Sequence, residues 1–237
     1  MKSGQKNIKS QSTVTIRKVS AKKLIVKEEK KEIDINFDSK KYWQNRYKKG
    51  GNSGKGSYGF LAEYKKNFIN KFIKNNSIKS LVEYGCGDCN QLFFIECENI
   101  LGYDISCESI ELCKKKLPKL NFYCGEDNKS SDEKIELFLS LDVIFHLVED
   151  KNYKDYIAKI IEFDCPLLII YSSDFEDDGS SPIHVKHRKF TNDSDLNKNY
   201  ELIKKVSNEY PSMDENEGSF SNWFIYKKIN YDIDVNI

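Results

Sequence analysis

From residue 78 onward, short apolar runs alternate with longer polar stretches. SLVEY (80–84), ILGYDI (100–105), LNFYCG (120–125), IELFLSL (135–141) and PLLIIYSS (166–173) each predict a strand. Helical spacing lies between them, over 106–117, which stops before Pro118, and over 150–162. Strands that alternate with helices predict a parallel sheet with right-handed crossovers. The first crossover spans only 85–98, so its helix is expected to be stubby. After residue 190 the pattern changes. YELIKKVSNEY (200–210) and FSNWFIYKKIN (220–230) predict two strands joined by PSMDENEGS, an antiparallel hairpin at the edge of the sheet. The expected architecture is α/β, a three-layer sandwich around a seven-stranded, mostly parallel sheet.

Upstream, FDSKKYWQNRYKKG predicts a helix with Ser39 as its N-cap, aromatic residues at 42, 43 and 47, and a stop at Gly50-Gly51. The glycine-rich loop GGNSGKGSYG follows. LAEYKKNFINKFIKNN then carries apolar residues at 61, 64, 68, 69, 72 and 73, the period of an amphipathic helix. Residues 1–31 show no sustained apolar period. The chain therefore divides into an arm at 1–31 and one domain at 32–237, with a helical region at 38–75 and an α/β core at 78–237.

Charge sharpens this division. The formal net charge is +1, but residues 1–31 hold ten Lys or Arg against Glu28 and Glu29, a net of +8, which leaves −7 for the rest. Such an arm suits a disordered, solvated tail, with nucleic acid or an anionic surface as its alternative partner. No run of 18 apolar residues is present, and the N-terminus lacks the apolar stretch of a signal peptide. A cytoplasmic location without membrane contact is the expectation. The seven cysteines are odd in number and lie mostly in apolar or glycine-rich runs, so no disulfide is expected.

The central motif is LVEYGCGDCNQL (81–92). A strand ends at Glu83-Tyr84 and enters Gly85-Cys86-Gly87, where glycines let backbone pass close to a ligand. Asp104 ends the second strand about twenty residues on, where a carboxylate can accept hydrogen bonds from ribose hydroxyls. A nicotinamide fingerprint needs a third glycine where Asn90 stands, which speaks against a dehydrogenase. In GGNSGKGS, Gly56 rather than Ser or Thr follows Lys55, and no strand precedes it. A triphosphatase phosphate loop is excluded on that ground. Cys86-x-x-Cys89 lacks the second pair of a structural zinc site, so no metal is expected.

With these residues the chain resembles class I S-adenosylmethionine-dependent methyltransferases, which have a Rossmann-like fold. Glu83-x-Gly85-x-Gly87 is similar to their first motif, Asp104 to their ribose-binding acid, and LSLDVIFHLVED (139–150) to their fourth-strand motif. YWQNRY, SGKGSYG and SLDVIFHL together resemble a bacterial and viral subgroup associated with glycan modification. The resemblance spans about residues 40–230. It implies S-adenosyl-L-methionine as cofactor, with Gln91, Ile105, Glu126, Leu141 and Asp142 joining Glu83, Gly85, Cys86, Gly87 and Asp104 around it. It also implies that 38–75 is a lid, with Tyr42 and Trp43 facing the sulfonium and Arg46 pairing with the methionine carboxylate. Plain core packing is the alternative for both aromatic rings. One departure stands out, since Cys89 replaces the family's third small residue, often Gly.

Methyl transfer needs an acceptor held in line and, for a hydroxyl, a base. All three histidines fall in suggestive places. His146 follows the fourth strand, and His184 and His187 sit in SSPIHVKHRKF after the fifth. His146 is the candidate base, with His184 and His187 shaping the acceptor pocket. Packing for His146 and an exposed loop for the other two are the alternatives. The expected reaction is methylation of a small polar acceptor, a sugar or nucleotide-sugar hydroxyl or amine. The competing functions are an RNA or cap methyltransferase gripping phosphates through the arm, and an inactive binding subunit.

Overall fold

The structure, a computed structural model, describes residues 37–125, 134–214 and 217–237. The arm at 1–31 and Glu126 lie outside the described residues.

Among the described residues, seven strands form one sheet: β1 Ser80–Tyr84, β2 Asn99–Asp104, β3 Asn121–Cys124, β4 Leu137–Leu141, β5 Leu167–Ser172, β6 Tyr200–Val206 and β7 Asn222–Lys228. Their order is β3-β2-β1-β4-β5-β7-β6. The first five run parallel, and β7 pairs antiparallel with both β5 and β6. Strand order reverses between β1 and β4, so their C-terminal ends diverge and leave a crevice.

Among the described residues, five α-helices accompany the sheet: α1 Ser39–Lys48, α2 Gly59–Asn75, α3 Cys107–Lys116, α4 Asp150–Phe163 and α5 Ser194–Asn199. Strand alternation divides the core in two. Leu167, Ile169 and Tyr171 of β5 pack with Ile69 and Phe72 of α2 and Ile110 of α3. Leu168 and Ile170 point the other way, toward Tyr156, Ile157 and Ile160 of α4 and Leu196 of α5. Neighbours along each strand serve opposite layers, so the central strands read as continuous apolar runs. Each fully buried Leu or Ile contributes roughly 1.5–3 kcal/mol.

Local chemistry sets the helix ends. Ser106 caps α3 by accepting from the Ser109 N–H, and Lys114, Lys115 and Lys116 occupy its last turn, where cations suit the helix dipole. α4 stops where Asp164 turns left-handed at φ 55°.

Three expectations are corrected. The cap of α1 is Asp38, which accepts from the Lys41 N–H at 2.9 Å. Ser39 is the first helical residue, and its N–H donates to Glu149 Oε1 at 2.8 Å while its hydroxyl donates to Oε2. The aspartate's longer reach spans to the third helical N–H, which frees Ser39 to tie α1 to the start of α4. The short crossover after β1 holds a single 3-10 turn, Leu92–Phe94, because the chain is too short for more. Finally, Cys107 and Cys124 form a disulfide. Tertiary folding sets the start of α3 beside the end of β3, with Cα atoms 5.0 Å apart, and spacing of 17 residues gave no hint of it. No helix among the described residues is long and apolar enough to cross a membrane.

Candidate functional site

The ends of β1, β2 and β4 open into a cavity of about 990 Å³. The chain enters it through two glycines in the left-handed region, Gly85 at φ 97° and Gly87 at φ 54°. A Cβ on Gly85 would lie 2.4 Å from Val143 Cγ2, and one on Gly87 would lie 2.2 Å from Ser53 Oγ. Neither position tolerates a side chain, which answers why glycine stands at both. Cys89 also turns left-handed, at φ 53°, with its side chain fully buried. That conformation costs a non-glycine residue roughly 1–2 kcal/mol.

Asp104, at the end of β2, braces this turn. Its Oδ2 accepts from the Gly87 N–H and its Oδ1 from the Ser106 N–H, both at 2.8 Å. Burial raises its pKa, and the two backbone donors oppose that rise. A carboxylate offers about four acceptor positions, so room for a further donor remains. Glu83 lies deeper, 2% exposed, with Oε2 buried and unpartnered among the described residues. Burial pushes its carboxyl up to about 8, against the pull of nearby Lys65. An orphaned buried carboxylate oxygen is costly, and a cationic donor in the cavity would satisfy it.

Of the residues expected around a cofactor, Trp43, Glu83, Gly85, Cys86, Gly87, Gln91, Asp104, Ile105, Leu141 and Asp142 line this cavity. Gln91 donates to the Ala62 carbonyl at 3.2 Å and keeps a buried, unpartnered Oε1. Tyr42 does not line it; its ring stacks on His184 at 4.9 Å. Arg46 lines a second, smaller cavity of about 90 Å³.

The smaller cavity also takes His146 and His184. His146 Nδ1 lies 2.9 Å from the His184 carbonyl, so it carries the proton and Nε2 is left as the basic nitrogen. Burial pushes His146 down to about 4, opposed by the bond to the His184 carbonyl. The ring meets Trp43 edge-on at 4.9 Å. His187 lies apart from both cavities. It is buried among Phe145, Phe175 and Phe220, with Nδ1 2.7 Å from the Ser173 hydroxyl.

Several residues of the site escape sequence reasoning. Asp88 accepts from the Ser53 hydroxyl at 2.8 Å and the Tyr58 hydroxyl at 2.7 Å, stapling the glycine-rich loop to the turn after β1. Lys65, 1% exposed, donates to Asp142 Oδ2 at 2.8 Å, and the Ser221 hydroxyl donates to Oδ1 at 2.8 Å. Asp142 is thereby committed to two partners. A signal for Lys65 did exist, since it occupies the apolar stripe of α2.

No protein-family model matches the chain, and no curated protein matches it in sequence. Solved structures do. The N-methyltransferase NodS from Bradyrhizobium japonicum, in complex with S-adenosyl-L-homocysteine, matches with a TM-score of 0.62 at 12% identity, over 82% of this chain and 100% of that one. The fold is the Rossmann-like methyltransferase fold. A Clostridium acetobutylicum S-adenosylmethionine-dependent methyltransferase has a TM-score of 0.51 at 13% identity, over 69% of this chain and 91% of that one. The small RNA methyltransferase HEN1 has a TM-score of 0.52 at 19% identity, over 73% of this chain and 25% of that one. At such identities the likeness concerns the fold.

Proposed function

We propose that the protein is an S-adenosyl-L-methionine-dependent methyltransferase acting on a small polar acceptor, a sugar or nucleotide-sugar of the kind its sequence resemblance suggests. The observation that carries the reading is the crevice at the ends of β1 and β2. There two left-handed glycines leave no room for a Cβ, Asp104 is poised beside them, and Glu83 presents a buried oxygen with no partner. These features fit S-adenosylmethionine. Its ribose hydroxyls suit Asp104, and its ammonium suits the orphaned Glu83 oxygen. The cofactor, when bound, supplies an electrophilic methyl group on a sulfonium.

The chain's own residues do the rest. Trp43, Ser53, Ser57, Asp142 and His146 line both cavities, so they mark the passage between cofactor and acceptor. His146, with Nδ1–H fixed on the His184 carbonyl, presents Nε2 to take the proton of a hydroxyl acceptor. His184, stacked between Tyr42 and His146, shapes the acceptor side. His187 acts at one remove, by packing against Phe145, the neighbour of His146.

The test is calorimetry with S-adenosylhomocysteine. The wild-type protein is expected to bind it, and Asp104→Ala to weaken binding by roughly 1–3 kcal/mol, the usual worth of hydrogen bonds to a charged group. Unchanged affinity in a folded Asp104→Ala variant would remove Asp104 from the site. No binding by the wild type would remove the cofactor assignment itself.

A further inference from the structure

The smaller cavity carries an imbalance of charge. Its one lining carboxylate, Asp142, is already neutralised by Lys65 at 2.8 Å and capped by Ser221. His146 is held neutral by burial. The other charged lining residues are Arg46 and Lys55, and Lys55 has an interaction of its own, so Arg46 is the cation in question. Arg46 is held firmly. Its Nε donates to the Asn52 carbonyl at 2.7 Å, and its guanidinium carbon lies 5.5 Å above the Trp43 ring centroid. Yet among the described residues neither Nη of Arg46 has a hydrogen-bond partner. A guanidinium oriented from one side, with its two-pronged face unused in a partly enclosed cavity, is built to receive a planar or tetrahedral oxyanion.

Placement says whose oxyanion it is. Arg46 lines the smaller cavity and is absent from the lining of the larger one. Arg46 shares the smaller cavity with His184, Phe145 and Phe220, none of which lines the larger one. A volume of about 90 Å³ encloses only a few heavy atoms, the reacting end of an acceptor and one attached group. We infer that this cavity binds a carboxylate or phosphate group of the methyl acceptor through the Nη atoms of Arg46, so that the enzyme selects anionic acceptors. The inference rests on the methyltransferase reading above and departs from the assignment of Arg46 to the cofactor's carboxylate.

The experiment uses the full-length protein, loaded with S-adenosylhomocysteine, as wild type, Arg46→Ala and Arg46→Lys. Acetate and inorganic phosphate are titrated separately, which tells the two oxyanion classes apart, and each titration is repeated without S-adenosylhomocysteine. Affinity for S-adenosylhomocysteine and for methylthioadenosine, which lacks the amino-acid portion, is measured alongside. One anion is expected to bind the wild type and to lose at least about tenfold in affinity in Arg46→Ala, with partial recovery in Arg46→Lys, as befits a charge-assisted contact. Nucleoside affinities are expected to stay within about threefold in both variants. Two results overturn the inference. In one, Arg46→Ala weakens S-adenosylhomocysteine while sparing methylthioadenosine, which assigns Arg46 to the cofactor. In the other, neither anion binds, or both bind regardless of Arg46. Failure of the wild type to bind S-adenosylhomocysteine overturns the methyltransferase reading instead, while the cofactor-free titrations still report on the cavity.

Discussion

The residue on which the proposed chemistry turns is His146. Free in water, an imidazole titrates near 6.5. In the fold it meets Trp43, Phe145 and His184, with Asp142 and Arg46 nearby, and burial holds it at about 4. A lowered pKa means the neutral, proton-accepting form persists as pH falls. Turnover is therefore expected to stay level from neutral pH down to about 5 and to fall through a single ionisation near 4. The sign for stability follows from linkage. The unfolded chain binds a proton below 6.5 that the folded chain refuses, so this residue makes the fold weaken as pH drops from about 6.5 toward 4. His146→Ala is expected to slow turnover roughly 10²–10⁴-fold while S-adenosylhomocysteine affinity holds. Rate profiles of wild type and variant on an identified acceptor decide the matter, and an acid limb at 6.5 or full activity in the variant refutes the role.

Among elements, the join between α3 and β3 differs most from what sequence suggested. The bond between Cys107 and Cys124 closes a loop of about 17 residues, worth about 3 kcal/mol in the chain-entropy account. Asp104, Ile105 and Gly125, which flank its two halves, line the larger cavity. Protein purified without reductant is expected to show five free thiols on denaturation and seven after reduction. Cys107→Ser is expected to lower the midpoint of thermal unfolding by several degrees. Seven thiols in the unreduced protein would show that the pair stays open. The glycine turn is the opposite case. Gly85 and Gly87 were legible in SLVEYGCG because only glycine satisfies a left-handed turn with Val143 and Ser53 at contact distance.

For the whole molecule, the buried residues of both core layers lie between Tyr64 and Tyr226. Residues 1–31 have the composition of a solvated arm, with a net charge of +8. Deleting them is expected to leave the unfolding midpoint and S-adenosylhomocysteine affinity unchanged. A fall of more than a few degrees in a thermal scan would show that they support the domain. Salt-sensitive RNA binding lost with the same deletion would favour the nucleic-acid alternative.

Periodicity by itself determined the order and type of the main elements, because a half-turn repeat in strands and a 3.6-residue repeat in helices are properties of the local chain. The local motif likewise marked the glycine turn, because Glu83, Gly85 and Gly87 lie within five residues and Asp104 ends the very next strand. The make-up of the smaller cavity was decided only by tertiary structure. Lys65 and Asp142 are 77 residues apart in sequence, and Arg46 and His184, still farther apart along the chain, line one cavity. His184 and His187 looked equivalent in SSPIHVKHRKF, yet one ring lines the smaller cavity and the other is buried beside Ser173. In an irregular loop no backbone period dictates where a side chain points, so packing against distant residues makes that choice.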